Sequence, residues 1–360
     1  MGIPLKNKKM KIAIDTSPLQ TGHRIRGTGF YVERLKNALT QYHPEYEYMF
    51  FQHKNRLNTT INLVHYPYFD PFFITLPFRK QFKTVVTILD LIPIVFPEQF
   101  PAGIKGNVKW QIQKLLAKQT DAIITISESA KKDIVRHMGI GSEKITVIYL
   151  AAGSEFKKIK NHESRIKEIR KKYNLPERFA LYVGDVTWNK NLPRLVKAVQ
   201  KTKIPLVMVG KALTSTDFDK TNPWNKDLVE VQRIIKEDNN IIRLGFVPTE
   251  DLITLYNIAA LFIFPSLYEG FGLPILEAMQ CGCPVITTKE SSLPEVAGDS
   301  AIYVDAYESD SIAKGLQKVF TNTKLQKELS MKGLEQAKKF SWEKTADQTI
   351  AVYKNVLSSV

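Results

Sequence analysis

Residues 261 to 288 read LFIFPSLYEGFGLPILEAMQCGCPVITT, and the reading of this stretch decides the fold. Leu261–Phe264 is a short, wholly apolar run of the kind that forms a strand buried on both faces. The loop after it ends in Gly270-Phe271-Gly272-Leu273, and Pro274 suits the first position of a helix. Pro284–Thr287 is a second β-prone run, so the segment reads strand, loop, helix, strand. The first amides of such a helix have no partner within it, and with the helix dipole they favour an anion such as phosphate. Glycines 270 and 272 let the backbone approach a ligand closely. Glu269 stands just before the turn, and Glu277 lies about one turn into the helix. Carboxylates accept hydrogen bonds from paired hydroxyls. One acidic group at each end of a phosphate cradle suits a nucleotide-sugar, with the phosphates in the middle, the sugar at one end and the ribose at the other. On the residues alone a second reading stands beside this one. A glutamate in a first helical turn also complements the dipole, and Gly-x-Gly turns precede many helices that bind nothing.

Outward from this unit, β-rich runs alternate with helical patterns. Lys11–Ile14, Leu63–Tyr66, Thr84–Leu89, Ala122–Ile126 and Ile145–Ile148 form one series of candidate strands. Ala180–Val183, Pro205–Val209, Ile241–Leu244, Leu261–Phe264, Pro284–Thr287 and Ala301–Val304 form a second. Between them lie helical stretches such as Phe30–Thr40, Ile104–Lys118, Glu128–His137 and Asn191–Lys201. Continuous apolar strands alternating with helices predict an α/β chain with parallel sheets covered on both faces. At 360 residues the chain exceeds what one core organises, and two series predict two doubly wound domains. The expected division is 1–165 and 166–340, with a seam in the lysine-rich segment 152–178, followed by a last helix within 341–360 that no strand succeeds. Ligands sit at the carboxyl ends of such strands, so facing sheets would place a cleft between the domains.

Apolar residues make up 44% and charged residues 24%, a globular mix that excludes a disordered chain. The two cysteines, Cys281 and Cys283, are too close for an unstrained bridge and point to a reducing, cytoplasmic setting. The longest apolar runs are too short to span a bilayer, and the basic start of the chain lacks the apolar core of a secretory signal. The net charge of +15 is uneven: residues 1–165 hold 25 Lys and Arg against 13 Asp and Glu, whereas residues 166–360 hold 26 against 23. That imbalance reads either as a solvated basic face or as a half that meets something anionic, such as the cytoplasmic face of a membrane. No nucleic-acid-binding motif accompanies it, so no nucleic-acid partner is expected.

The run Glu269-Gly270-Phe271-Gly272-Leu273-Pro274, then Glu277-Ala278-Met279, Gly282-Cys283-Pro284-Val285-Ile286 and Leu293-Pro294-Glu295-Val296, closely resembles retaining glycosyltransferases of family 4, which have the GT-B fold. The two glutamates, with seven residues between them, match that family's E-x7-E signature. The resemblance covers most of the chain. It includes Arg26-Gly27-Thr28-Gly29-Phe30-Tyr31, Leu89-Asp90-Leu91-Ile92-Pro93, Ile124-Thr125-Ile126-Ser127-Glu128-Ser129, Tyr182-Val183-Gly184-Asp185 through Lys190-Asn191-Leu192, and Gly245-Phe246-Val247. It implies that Glu277 holds the ribose hydroxyls. It implies that Glu269 and the amides of Gly270, Phe271, Gly272 and Leu273 contact the donor sugar and its phosphate, and that Lys190 neutralises the leaving diphosphate. Asn189 joins the donor side, Val247 flanks the base, Gly29 approaches the diphosphate from the N-terminal domain, and the last helix crosses back onto that domain. Physical chemistry supports the role of Lys190, because a lysine beside a helix start stabilises charge built on a departing diphosphate; a solvated loop lysine is the alternative.

Two positions depart from the family pattern. Asn189 stands where the family often has Arg, and Leu89 stands before Asp90 where it often has a His near the reacting sugar. On the acceptor side the candidates are Asp90, His23 and Arg26. Asp217-Phe218-Asp219 is a D-x-D in a polar stretch, and the histidines show no metal-ligand spacing, so no metal is expected. Gly27-Thr28-Gly29 lacks the third glycine of a dinucleotide fingerprint. The expected activity is a retaining, metal-independent transfer of a hexose, mannose from GDP-mannose, to a lipid-linked or cell-envelope glycan, with no cofactor beyond the GDP- or UDP-linked donor. The alternatives are UDP-glucose or another UDP-sugar as donor, and a non-catalytic nucleotide-sugar or glycan-binding protein.

Overall fold

The computed structural model describes residues 10–21, 27–52, 57, 60–159, 163–235 and 238–359. These fall into two compact units, one drawn from Met1–Pro97, Ala102–Leu150 and Ser341–Val360, the other from Glu98–Pro101 and Ala151–Phe340. The division thus lies at Leu150–Ala151, ahead of the expected 165. Glu98–Pro101 goes with the second unit because Phe100 sets its ring edge-on against Trp224 and Trp188, at 5.1 and 6.4 Å between centroids.

The first unit holds a six-stranded parallel sheet of β1 (Lys11–Asp15), β2 (Glu47–Phe51), β3 (Leu63–Tyr66), β4 (Lys83–Thr87), β5 (Ala122–Thr125) and β6 (Ile145–Val147), in the order β2-β1-β3-β4-β5-β6. In the second unit, β7 (Ala180–Val183), β8 (Leu206–Val209), β9 (Ile241–Arg243), β10 (Leu261–Phe264), β11 (Val285–Thr288) and β12 (Ala301–Val304) form another parallel sheet, ordered β12-β11-β10-β7-β8-β9. Helices cross over between most successive strands, whereas β3 and β4 are joined by segment 67–82 without one. The predicted α/β class with two doubly wound sheets is what the chain adopts. The strand absent from the sequence reading is β2. It is the edge strand of its sheet, and its run Tyr48–Phe51 is apolar but only partly covered, with Glu47 and Met49 exposed and Phe51 buried.

In the second sheet the chain runs outward from β7 to β9, then returns to place β10 on the other side of β7. The loops after β7 and β10 therefore part at a topological switch point, where doubly wound sheets hold ligands. Close backbone approach marks this end of the sheet. Gly184 follows β7 and Gly210 follows β8, and a Cβ on Gly210 would lie 2.1 Å from the Gly184 carbonyl oxygen.

In the first unit the last helix, Trp342–Ser358, packs along helix Gly27–Tyr42. A buried polar chain joins it to the sheet. The Tyr353 hydroxyl is 2.6 Å from His65 Nδ1, His65 Nε2 is 2.8 Å from Thr87 Oγ1, and Thr87 Oγ1 is 3.0 Å from the Tyr31 hydroxyl. Burial pushes the His65 ring down to about 3 from its ordinary 6.5. As pH falls the unfolded chain takes up that proton first. The contribution of neutral His65 is thus complete above about pH 6.5 and is lost on acidification toward about pH 3, by up to ~1.4 kcal/mol per pH unit. Urea unfolding at pH 7.5 and 5.5 should show this loss, and His65→Gln should flatten it; equal pH slopes for the two proteins would contradict the assignment.

Candidate functional site

The loop after β7 turns through Trp188–Lys190 and enters helix Leu192–Thr202. Asn191 makes this possible by adopting a left-handed conformation at φ 60°, which Asn tolerates better than most residues. Its buried amide donates to the carbonyls of Pro265 at 2.9 Å and Ala306 at 2.6 Å. Two residues earlier, Asn189 donates to the Tyr268 carbonyl at 3.0 Å, and its own carbonyl accepts from the Leu267 amide at 2.7 Å. Its side-chain oxygen accepts from the Thr187 hydroxyl at 2.7 Å. Two asparagines thus tie the loop after β7 to the loop after β10 across the switch point.

That tie places Lys190 opposite Glu269. The Lys190 ammonium lies 2.7 Å from Glu269 Oε1 and 5.0 Å from the centre of the Phe264 ring. Both side chains are largely covered, at 17% and 9% exposure, so solvent screens their attraction poorly. The turn that follows is held from below. The Glu269 amide donates to Ser291 Oγ at 2.8 Å, and Ser292 Oγ lies 2.9 Å from the Glu269 carbonyl oxygen and 2.8 Å from that of Phe271. Gly272 adopts φ 113°, open to glycine and strained for any other residue, and so turns the chain into helix Leu273–Gln280. Pro274 stands in the first turn of that helix.

Glu277 projects from that helix, and its Oε2 accepts from the Tyr256 hydroxyl at 3.0 Å. Burial, reinforced by the charge of Glu277, raises the Tyr256 hydroxyl well above its usual range, so it stays protonated and donates. Tyr256 belongs to helix Thr249–Ile258, which Asp251 fastens to Lys172 at 2.6 Å, to Tyr173 at 2.5 Å and to Arg165. Cys281 and Cys283 are free and buried, and burial pushes the Cys281 thiol up to about 12.

The second unit therefore gathers Lys190, Asn189, Glu269, Gly270, Phe271, Gly272, Leu273 and Glu277 at one end of its sheet. Val247 is buried just past β9 at the same end. Gly29 and Asp90 belong to the first unit. Gly29 is buried in the first turn of helix Gly27–Tyr42, and Asp90 accepts from the Ile92 amide at 3.0 Å. His23 and Arg26 lie outside the described residues. Asp219 closes a local turn by accepting from the Thr221 amide and hydroxyl at 2.8 and 2.6 Å. A cation beside a carboxylate, a glycine turn leading into a helix start, and a second carboxylate one turn further on can together meet a diphosphate with a sugar on either side.

Two family models match the chain, Glycosyltransferase Family 4 over residues 17–152 and Glycosyl transferases group 1 over residues 165–336. The O-antigen chain mannosyltransferase B of Escherichia coli is 34% identical over 291 residues, which are 78% of this chain and 72% of that protein. The chain belongs to glycosyltransferase family 4. It is also 32% identical over 291 residues to the serotype-specific mannosyltransferase WbdA of Escherichia coli, but spans only 34% of that protein's length. Among solved structures, Anabaena HepE in complex with UDP and glucose matches with a TM-score of 0.71 at 19% identity, over 98% of this chain and 100% of that one. Sucrose-phosphate synthase from Thermosynechococcus elongatus matches with a TM-score of 0.74 at 17% identity, over 98% and 100%. At these identities the likeness establishes the fold, which is GT-B.

For this family 4 chain, sequence reading missed four residues that shape the site: Tyr256, Asn191 as a tie, Ser291 and Ser292. Tyr256 sits on a helix whose local pattern shows only an apolar stripe, and its link to Glu277 spans 21 residues. Asn191 gave a local signal, an Asn directly before a Leu-Pro helix start, but its partners lie 74 and 115 residues away. Asn191→Ala removes both donors, leaves two buried carbonyls unpaired and places alanine at a positive φ. Urea unfolding should show a loss of about 3 kcal/mol, and a loss under about 1 kcal/mol would mean the tie is dispensable.

Proposed function

We propose that the chain transfers a hexose, mannose from GDP-mannose, to a hydroxyl of a lipid-linked or cell-envelope glycan, with retention and without a metal. The observation that carries this is the Lys190–Glu269 pair flanking the Gly270–Leu273 turn at the switch point. The two relatives named mannosyltransferases support the choice of sugar. In this reading the donor diphosphate lies against the amides of the turn and exchanges for Glu269 as the partner of Lys190. Glu269 then accepts from sugar hydroxyls, and Glu277, oriented by Tyr256, accepts from the ribose. The bond between the sugar C1 and the diphosphate oxygen breaks while a bond to the acceptor oxygen forms on the same face. The acceptor proton passes to the departing phosphate, so no protein nucleophile is required. Charge grows on that phosphate in the transition state, and Lys190 meets it in a water-poor site where it counts most. Asn189 serves by holding Tyr268, and through it Glu269, in place.

A second reading, a non-catalytic nucleotide-sugar or glycan-binding protein, draws on Leu89 beside Asp90, where the family pattern has histidine. Thermal unfolding with a panel of nucleotide sugars separates the cases, since a bound ligand stabilises the folded state by mass action. GDP-mannose should give the largest shift; a larger shift with UDP-glucose would move the donor assignment to UDP-sugars. Lys190→Ala should lower kcat about 10²–10³-fold, the range seen when a donor to developing charge is removed. Tyr256→Phe should raise the donor KM with little change in kcat. Donor binding without turnover on any glycan acceptor would leave the binding-protein reading standing.

A further inference from the structure

The most exposed apolar side chains of the first unit lie on helix Gly103–Lys118 and in the segment Phe73–Phe78. Among its described residues, the large apolar side chains more than half exposed are Phe73, Phe78, Ile104, Val108 and Leu115, at 56 to 86%. Ile104, Val108 and Leu115 stand at i, i+4 and i+11 on helix Gly103–Lys118, so they fall within about 40° of one another around its axis. They point away from Gly106, Gln113 and Ala117, which bury the opposite side. The same helix holds Lys105, Lys109, Lys114 and Lys118 and no acidic residue. At about 100° per residue these lysines flank the apolar stripe on both sides.

The preceding segment completes the surface. Gln113 donates to the Asp70 carbonyl at 2.9 Å and to Thr75 Oγ1 at 2.6 Å, fastening that segment to the helix. Lys109 Nζ lies 5.0 Å above the Phe73 ring. Lys80 lines a shallow hollow with Leu76, Pro77 and Leu116 beside the end of the helix, next to Phe78. An apolar stripe bordered by lysines on both sides needs a partner that offers acyl chains and anionic groups together. The surface of an anionic bilayer offers both. An acidic protein would meet the lysines but leave the stripe unexplained, and a purely apolar partner would leave the lysines facing nothing.

We propose that helix Gly103–Lys118 and the Phe73–Lys80 segment dock on an anionic lipid bilayer, with Ile104, Val108 and Leu115 entering the boundary between headgroups and acyl chains and the lysines meeting lipid phosphates. This stands independently of the donor-site reading. The test is flotation of the full chain with vesicles of phosphatidylglycerol and phosphatidylcholine, or of phosphatidylcholine alone, at low and high salt. The wild-type chain should float with the anionic vesicles at low salt and stay behind with the neutral ones. I104S/V108S/L115S and, separately, K105Q/K109Q/K114Q/K118Q should each lower the bound fraction about tenfold, with thermal midpoints and the donor-induced thermal shift unchanged. The idea fails if anionic vesicles bind no protein, if neutral vesicles bind as much, or if the apolar triple variant binds like wild type. It also fails if the wild-type chain is a dimer that I104S/V108S/L115S dissolves while vesicle binding is unchanged, since the stripe would then belong to a second copy.

Discussion

Two buried asparagines at the point where the second sheet reverses direction hold the site in register. Asn189 and Asn191 bond to the backbone at Pro265, Leu267 and Tyr268, so the loop after β7 cannot move without the loop after β10. The bonds to Pro265 and Tyr268 run from side chain to backbone and the one to Leu267 from backbone to backbone, in a covered region where an unpaired carbonyl costs more than the bond itself contributes. The geometry that follows, an ammonium 2.7 Å from a carboxylate, depends on that tie. Lysine and glutamate are long side chains with many rotamers, and they meet in one arrangement because both backbones are fixed.

The pair answers an electrostatic requirement of its covered position. A largely covered lysine without a counter-charge would be costly, and so would Glu269 alone. Together they are near neutral, each the counter-charge of the other. The Tyr256–Glu277 bond repeats the idea one helical turn away. A buried hydroxyl that stays protonated holds one carboxylate oxygen in a fixed direction. The glycines belong to the same end of the sheet, since a Cβ at Gly210 would meet the Gly184 carbonyl and a non-glycine residue at Gly272 would strain the backbone.

The first unit is built on different terms. Its last helix is joined to the sheet by a polar chain, Tyr353–His65–Thr87–Tyr31, whose members lie far apart in sequence and are buried. A satisfied network of this kind specifies one docking position for the helix, where apolar contacts alone would tolerate several. The unit's helix Gly103–Lys118 carries four lysines around the exposed side chains of Ile104, Val108 and Leu115.

The sequence by itself determined the α/β class, both parallel sheets and the strand–turn–helix unit around Gly270–Leu273, because continuous apolar strands, glycine turns and helix-start prolines are local signals. It also marked Glu269 and Glu277 through their spacing in that unit, and Lys190 through the family resemblance of the stretch Tyr182–Leu192. It did not show β2, an edge strand left partly exposed despite its apolar Tyr48–Phe51, nor that Asn189 acts by holding a neighbouring loop. Only the tertiary structure decided which strands became neighbours and hence that Lys190 meets Glu269, that Tyr256 reaches Glu277, and that His65 joins the last helix to the sheet. Those contacts link residues 21 to 288 positions apart, and no local pattern encodes a partner that chain topology alone brings near.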